Sequence, residues 1–147
     1  MSYKKFLLIL AISFIIMYSV MFLNVDEANH IYLSLTRTYM SLLMVSPMAL
    51  IMLLMMGKMY PDKKLNGIIV VASIVVFVTT LSLLRTQTPV SDVQYMKAMI
   101  PHHSSAIMVS KHANIKDPEV KKLSEGIIAS QEKEIAEMKA IIERMDK

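Results

Sequence analysis

A chain of 147 residues that is 54% hydrophobic, with a mean hydropathy of +0.47, is too apolar for an ordinary soluble domain of its length. The absence of cysteine excludes disulfides, thiolate metal sites and thiol nucleophiles. The net charge of +4 would raise nucleic-acid binding as a function, but the placement of that charge points to a membrane instead.

Residues 86–147 carry 18 of the 28 charged side chains, whereas residues 1–84 hold most of the apolar ones. Two regimes in one short chain divide it into a membrane region, 1–85, and an aqueous region, 86–147. Lys4 and Lys5 precede the first apolar run, Phe6–Leu23. At 18 residues this run is longer than a signal-peptide core. No small-x-small cleavage site follows it; Asn24, Val25, Asp26 and Glu27 come next, so it reads as an uncleaved first span. In the loop that follows, His30 reads as an interfacial residue. The second and third runs are Tyr39–Met56 and Ile68–Leu84. None of the three contains Asp, Glu, Lys, Arg or His, and each is near the lower end of the roughly 17–25 residues a transmembrane helix needs. Tyr3, Tyr39 and Tyr60 stand at span ends, where an amphipathic ring prefers the interface. Pro47 predicts a kink in the second span. The third run is rich in Val, Ile and Thr, a strand composition in water, but an isolated strand cannot satisfy its backbone in lipid, so helix is expected.

Met40, Met44, Met48, Met52 and Met56 recur every fourth residue along the second span. Such a ladder could pass Cu(I) between thioethers. Steps of four drift by about 40° each on a 3.6-residue helix, however, so the row wraps around the helix and reads first as packing.

Orientation follows from the short-loop lysines and arginines. Lys4, Lys5, Lys58, Lys63 and Lys64, less Asp62, sum to +4, the whole net charge of the chain. The N-terminus and the second loop are therefore expected in the cytoplasm, with the first loop and everything after Leu84 on the other side. The region 86–147 has nine basic and nine acidic residues and is neutral overall.

Residues 86–90 form a linker containing Pro89. Ser91-x-x-Gln94 predicts a capping box, and a helix from about Asp92 to Ala113 with Asn114 as C-cap. Asp117-Pro118-Glu119 supplies N-cap, N1 and an acidic first turn for a second helix reaching about Met145. Two helices with a short loop between them make an antiparallel hairpin. The predicted inner stripe of the first helix is Met96, Met99, Ile100, His103, Ala106, Ile107 and Ser110. That of the second is Val120, Leu123, Ile127, Gln131, Glu134, Ile135, Met138, Ile141, Ile142 and Met145. Two helices cannot cover both stripes, so a homo-oligomer, a dimer completing a four-helix bundle, is expected.

The chemistry lies on the first of these helices, in Met96-x-x-Met99-Ile100-Pro101-His102-His103, followed by Met108 and His112. Met96, Met99 and His103 share a face by helical spacing, and His102 sits at its edge. Met108 and His112 form a second pair on another face. Pro101 removes the hydrogen bond to the Lys97 carbonyl and loosens this turn. Gln131, Glu134 and Met138 lie opposite, and polar groups on an apolar stripe demand partners, either a bound metal with its surroundings or each other across a dimer. Imidazole and thioether without cysteine favour copper, Cu(I) before Cu(II), over zinc or a di-iron site. The bland reading is that methionines fill core gaps and an inward histidine is simply hydrogen-bonded. No nucleophile is paired with a base, so no enzyme is read.

The stretch Tyr95–Ile142, with Met99-Ile100-Pro101-His102-His103, Ala106-Ile107-Met108 and then Ile128-x-x-Gln131-x-x-Glu134-Ile135-x-x-Met138, resembles the domain of unknown function 305 family. The resemblance implies a ferritin-like helical fold and copper binding through Met and His. Carried onto this chain, it implicates Met99, His102, His103 and Met138, with Gln131 and Glu134 as pattern positions. It departs from longer members in having one hairpin rather than two, and three spans in place of a secreted form. The expectation is a protein of the bacterial cytoplasmic membrane with its hairpin outside. It would buffer, store or hand over copper, with a copper-handling protein as partner. The alternative is a structural oligomerising module whose hairpin docks a partner without metal.

Overall fold

The computed structural model describes residues 2–146. The protein is all-helical, with no strand among the described residues. Its helices are α1 (Tyr3–Val20), α2 (Leu35–Met56), α3 (Lys63–Thr86), α4 (Asp92–His112) and α5 (Pro118–Met145). Short 3-10 turns stand at Ala28–His30 and Gly57–Met59. The predicted spans fall within helices, with one correction: the first helix ends at Val20, and Met21–Leu23 belong to the turn that follows.

The contacts define two compact units, and the dividing line differs from the one drawn between residues 85 and 86. One unit is α1 with Thr36–Pro89; the other joins Met21–Leu35 to the chain from Val90 onward. The loop between α1 and α2 thus packs with the C-terminal hairpin.

In the first unit, α1, α2 with its following turn, and α3 are each long and apolar enough to cross a membrane. Large aliphatic side chains such as Leu7, Ile15, Leu54 and Val71 are exposed on these helices. The core is Phe6, Ala49, Met52, Leu53 and Tyr60. Tyr60, expected at an interface, is 1% exposed. Its ring packs edge-on against Phe6 at 5.4 Å and tilted against Tyr3 at 5.2 Å. The backbone explains this placement: the Tyr60 carbonyl accepts from Asn66 Nδ2 (2.8 Å), and Asn66 Oδ1 accepts from the Tyr3 hydroxyl (2.8 Å). Tyr39 is buried as well, donating its hydroxyl to the Thr88 carbonyl at 2.9 Å. The methionine ladder divides by its drift: Met40 and Met44 are exposed, Met52 is in the core, and Met48 and Met56 pack against that core. α2 continues through Pro47.

In the second unit, Ser110–Ser124 and His103–Glu134 contacts run in opposite senses along α4 and α5, so the pair is antiparallel. Its core is Met96, Ile100, Ile107, Ile135 and Ile142, with Tyr32 of the loop packed against it. Asp117 caps α5 as expected, its Oδ1 accepting from the Glu119 and Val120 amides at 2.9 and 3.0 Å. The capping box at Ser91 is only half formed. Ser91 Oγ accepts from the Gln94 amide at 3.4 Å, but the Gln94 side chain turns away to accept from the Leu35 amide at 2.9 Å. α4 ends at His112, and its C-cap is Ala113 and not Asn114, the Ala113 amide donating to the Val109 carbonyl. The α5 stripe is also narrower than drawn: Ile135 and Ile142 are buried, while Val120, Leu123, Ile127, Ile141 and Met145 are exposed. Ser124, outside the drawn stripe, is buried.

Candidate functional site

α4 carries Met99 and His103 one turn apart, and α5 carries Glu134 and Met138 one turn apart. Because the helices run antiparallel, the two pairs face a common cleft of about 290 Å³, lined also by Tyr95, Glu137 and Ile141. The His103 side chain is 9% exposed and that of Glu134 45% exposed, so the imidazole forms the floor and the carboxylate the rim.

The His103 ring is held at both nitrogens. Nδ1 lies 2.8 Å from the Met99 carbonyl, one turn back in the same helix. Nε2 lies 2.7 Å from Glu134 Oε2. Both partners are acceptors, whereas a neutral imidazole carries one N–H. The second contact therefore needs a second hydrogen, on the ring or on the carboxyl. Glu134 is fixed in turn by Ser130, whose hydroxyl donates to Oε1 at 2.8 Å. That hydrogen bond, and then the one from His103, hold the Glu134 carboxyl below its ordinary value, so it stands ionised at neutral pH.

Of the residues singled out from sequence, Met99, His103, Glu134 and Met138 meet in this cleft. The others do not. Met96 is sealed in the hairpin core. His102 is exposed, its ring edge-on to His103 at 5.9 Å, and it does not line the cleft. Met108 is half-buried, and exposed His112 sets Nδ1 2.9 Å from the Met108 carbonyl. Gln131 lines a separate apolar hollow with Leu123, Ile127 and Ser130. Among the described residues no three His, Cys, Asp or Glu side chains group so as to hold a metal ion. A metal in the cleft would thus depend on the two thioethers beside one imidazole and one carboxylate, a donor set that fits a soft ion and not zinc or magnesium.

A second polar cluster escaped the sequence reading. His30 is not an interfacial residue; it is 6% exposed, with Nδ1 2.9 Å from Ser104 Oγ. Ser104 also accepts from the Asp26 amide (2.8 Å), and Ser105 accepts from Asn24 (2.6 Å). The available signals were a Ser-Ser pair directly after His103 and a polar loop containing Asn24, Asp26, Asn29 and His30. Only the fold makes them neighbours.

An all-helical chain that joins three span-length apolar helices to a hairpin with a Met/His/Glu cleft sets the class. Residues 78–142 match the family model described as Domain of unknown function (DUF305), a match that begins inside α3, upstream of Tyr95. The chain is also 38% identical over 146 residues to Uncharacterized protein L153 of Acanthamoeba polyphaga mimivirus, covering 97% of this chain and 94% of that protein. The chain belongs to the same family as the mimivirus protein, a likeness that runs through both units, and its residues 78–142 are similar to the DUF305 family. No solved structure matches.

Proposed function

We propose that this protein is a membrane-anchored copper-binding protein whose cleft between α4 and α5 takes up Cu(I), with copper as cargo to be buffered, stored or handed to another protein. The observation that supports this best is the anchoring of His103 Nδ1, with Nε2 directed to Glu134 at the cleft. That Nδ1 is spent on the Met99 carbonyl, so Nε2 is presented to the cleft, the arrangement that outer partners impose on metal-binding histidines. Met99 and Met138 line the same space, and thioethers select Cu(I) over harder ions. Glu134 supplies the negative charge that an incoming cation needs. His102 is an entry residue in this reading, since it is exposed beside His103. The three apolar helices serve as an anchor, with the lysine-bearing N-terminus and second loop on the cytoplasmic side. The viral relative speaks against tying that membrane to a bacterial cell.

The exposed row Val120, Leu123, Ile127, Ile141 and Met145 favours a second copy of the chain packed along α5, which would close the cleft from solvent. The same row would serve a purely structural module, so metal binding is the property to test. Full-length protein in detergent, titrated with Cu(I) against a chromogenic chelator, is expected to compete in a way that Met99→Ala/His103→Ala loses. Equal, weak binding by both proteins overturns the proposal.

A further inference from the structure

We propose that the segment Met21–Leu35 is a proton-sensitive strap, and that protonation of His30, buried against Ser104, releases it from α4 and α5. The strap lies in the same unit as the hairpin. Asn24 donates to Ser105, Lys111 to Asp26 at 2.8 Å, Lys139 to Asn29 at 3.1 Å, and the Leu35 amide to Gln94. These polar anchors are largely solvent-exposed and individually weak, while Tyr32 packs against the hairpin core. The His30–Ser104 contact is buried.

The geometry around the ring disfavours a charge there. The Asp26 amide donates to Ser104 Oγ at 2.8 Å, and the same hydroxyl lies 2.9 Å from His30 Nδ1. Nε2 faces Glu27 Oε2 at 3.8 Å, beyond hydrogen-bonding distance. A second ring proton would therefore place a charge in a desolvated site with no carboxylate bonded to it.

The charged groups around the ring come from all three elements: Glu27 and Asp26 on the strap, Lys111 on α4, and Lys139 and Glu132 on α5. Burial is the largest influence and Lys139 the next, and both lower the His30 pKa. Glu27 and Asp26 oppose them, Lys111 adds to the lowering, and the net shift is downward from 6.5. A released strap would return His30 to its ordinary value. As pH falls below about 6.5 the released form takes up the proton first, and the equilibrium moves toward release. Release would uncover Ile107 and Ile135, which now line a hollow beneath the strap with His30. The inference does not rest on copper.

Hydrogen–deuterium exchange of full-length protein in detergent tests it, with rates corrected for intrinsic chemistry. Protection of peptides from residues 21–35 is expected to fall severalfold between pH 7.5 and 5.5, while that of α1–α3 holds. His30→Asn keeps a side chain beside Ser104 that can donate or accept and cannot be protonated, so it should keep its protection at pH 5.5. Constant protection in the wild type, or the same acid loss in His30→Asn, overturns the proposal. If that variant does not fold, ring NMR of the wild type decides: His30 should titrate below free histidine and in step with strap exposure. Titration without strap exposure contradicts the proposal.

Discussion

His103 owes its position to its own helix before any partner is considered. The Met99 carbonyl one turn back accepts from Nδ1, and the near side of α5 then meets Nε2 with Glu134. The sign of the resulting pH dependence follows from the carboxylate. Glu134 sits below its ordinary value of 4.5 because Ser130 and His103 bond its ionised form. Its contribution to stability is therefore present above that value and is lost as pH falls through the folded-state value. Glu134→Gln is expected to melt below the wild type at neutral pH, with the difference vanishing in strong acid, as thermal scans across pH would show. His103 and Glu134 were legible from sequence because each stands at helical spacing on a patterned helix. His30 was not, since its partner Ser104 lies 74 residues away and no local pattern links the two.

At the scale of elements, local signals were read well and signals satisfied at long range were read wrongly. Asp117 caps α5 because its partners are the next two or three amides. Asp117→Ala is expected to cost about 1 kcal/mol, read as faster amide exchange in the first turns of α5. Gln94 was assigned to a capping box, but its oxygen is claimed by the Leu35 amide across 59 residues. The position of Tyr60 at a span end is visible in the sequence, while its packing on Phe6 and Tyr3 is not. Ile100, fully buried between α4 and α5, anchors the hairpin. Ile100→Ala is expected to cost roughly 2–5 kcal/mol through lost burial and a residual cavity, measured by exchange of α4 and α5 amides at constant pH. Gly126 offers the opposite case: a methyl there meets nothing within 4 Å. Gly126→Ala should stabilise α5 by about 0.5–1 kcal/mol in the same measurement, through reduced backbone freedom in the unfolded chain.

Over the whole molecule, the division between apolar and charged residues was plain in the composition, and the helices follow it. The division between units was not, because Met21–Leu35 is short and polar yet folds onto the hairpin. The absence of cysteine makes the proposed topology open to a direct check. Single cysteines at Lys64 and Lys116 should label from opposite faces of a sealed vesicle, and labelling of both from one face contradicts the three-span arrangement. The copper proposal rests on thioether and imidazole donors converging in one cleft, and X-ray absorption at the copper edge reads those neighbours directly. Full-length protein loaded with Cu(I) is expected to show sulfur and nitrogen around the metal, with the sulfur lost in Met99→Ala/Met138→Ala. A copper ion surrounded only by nitrogen and oxygen, or unchanged by that substitution, would contradict the assignment of the cleft.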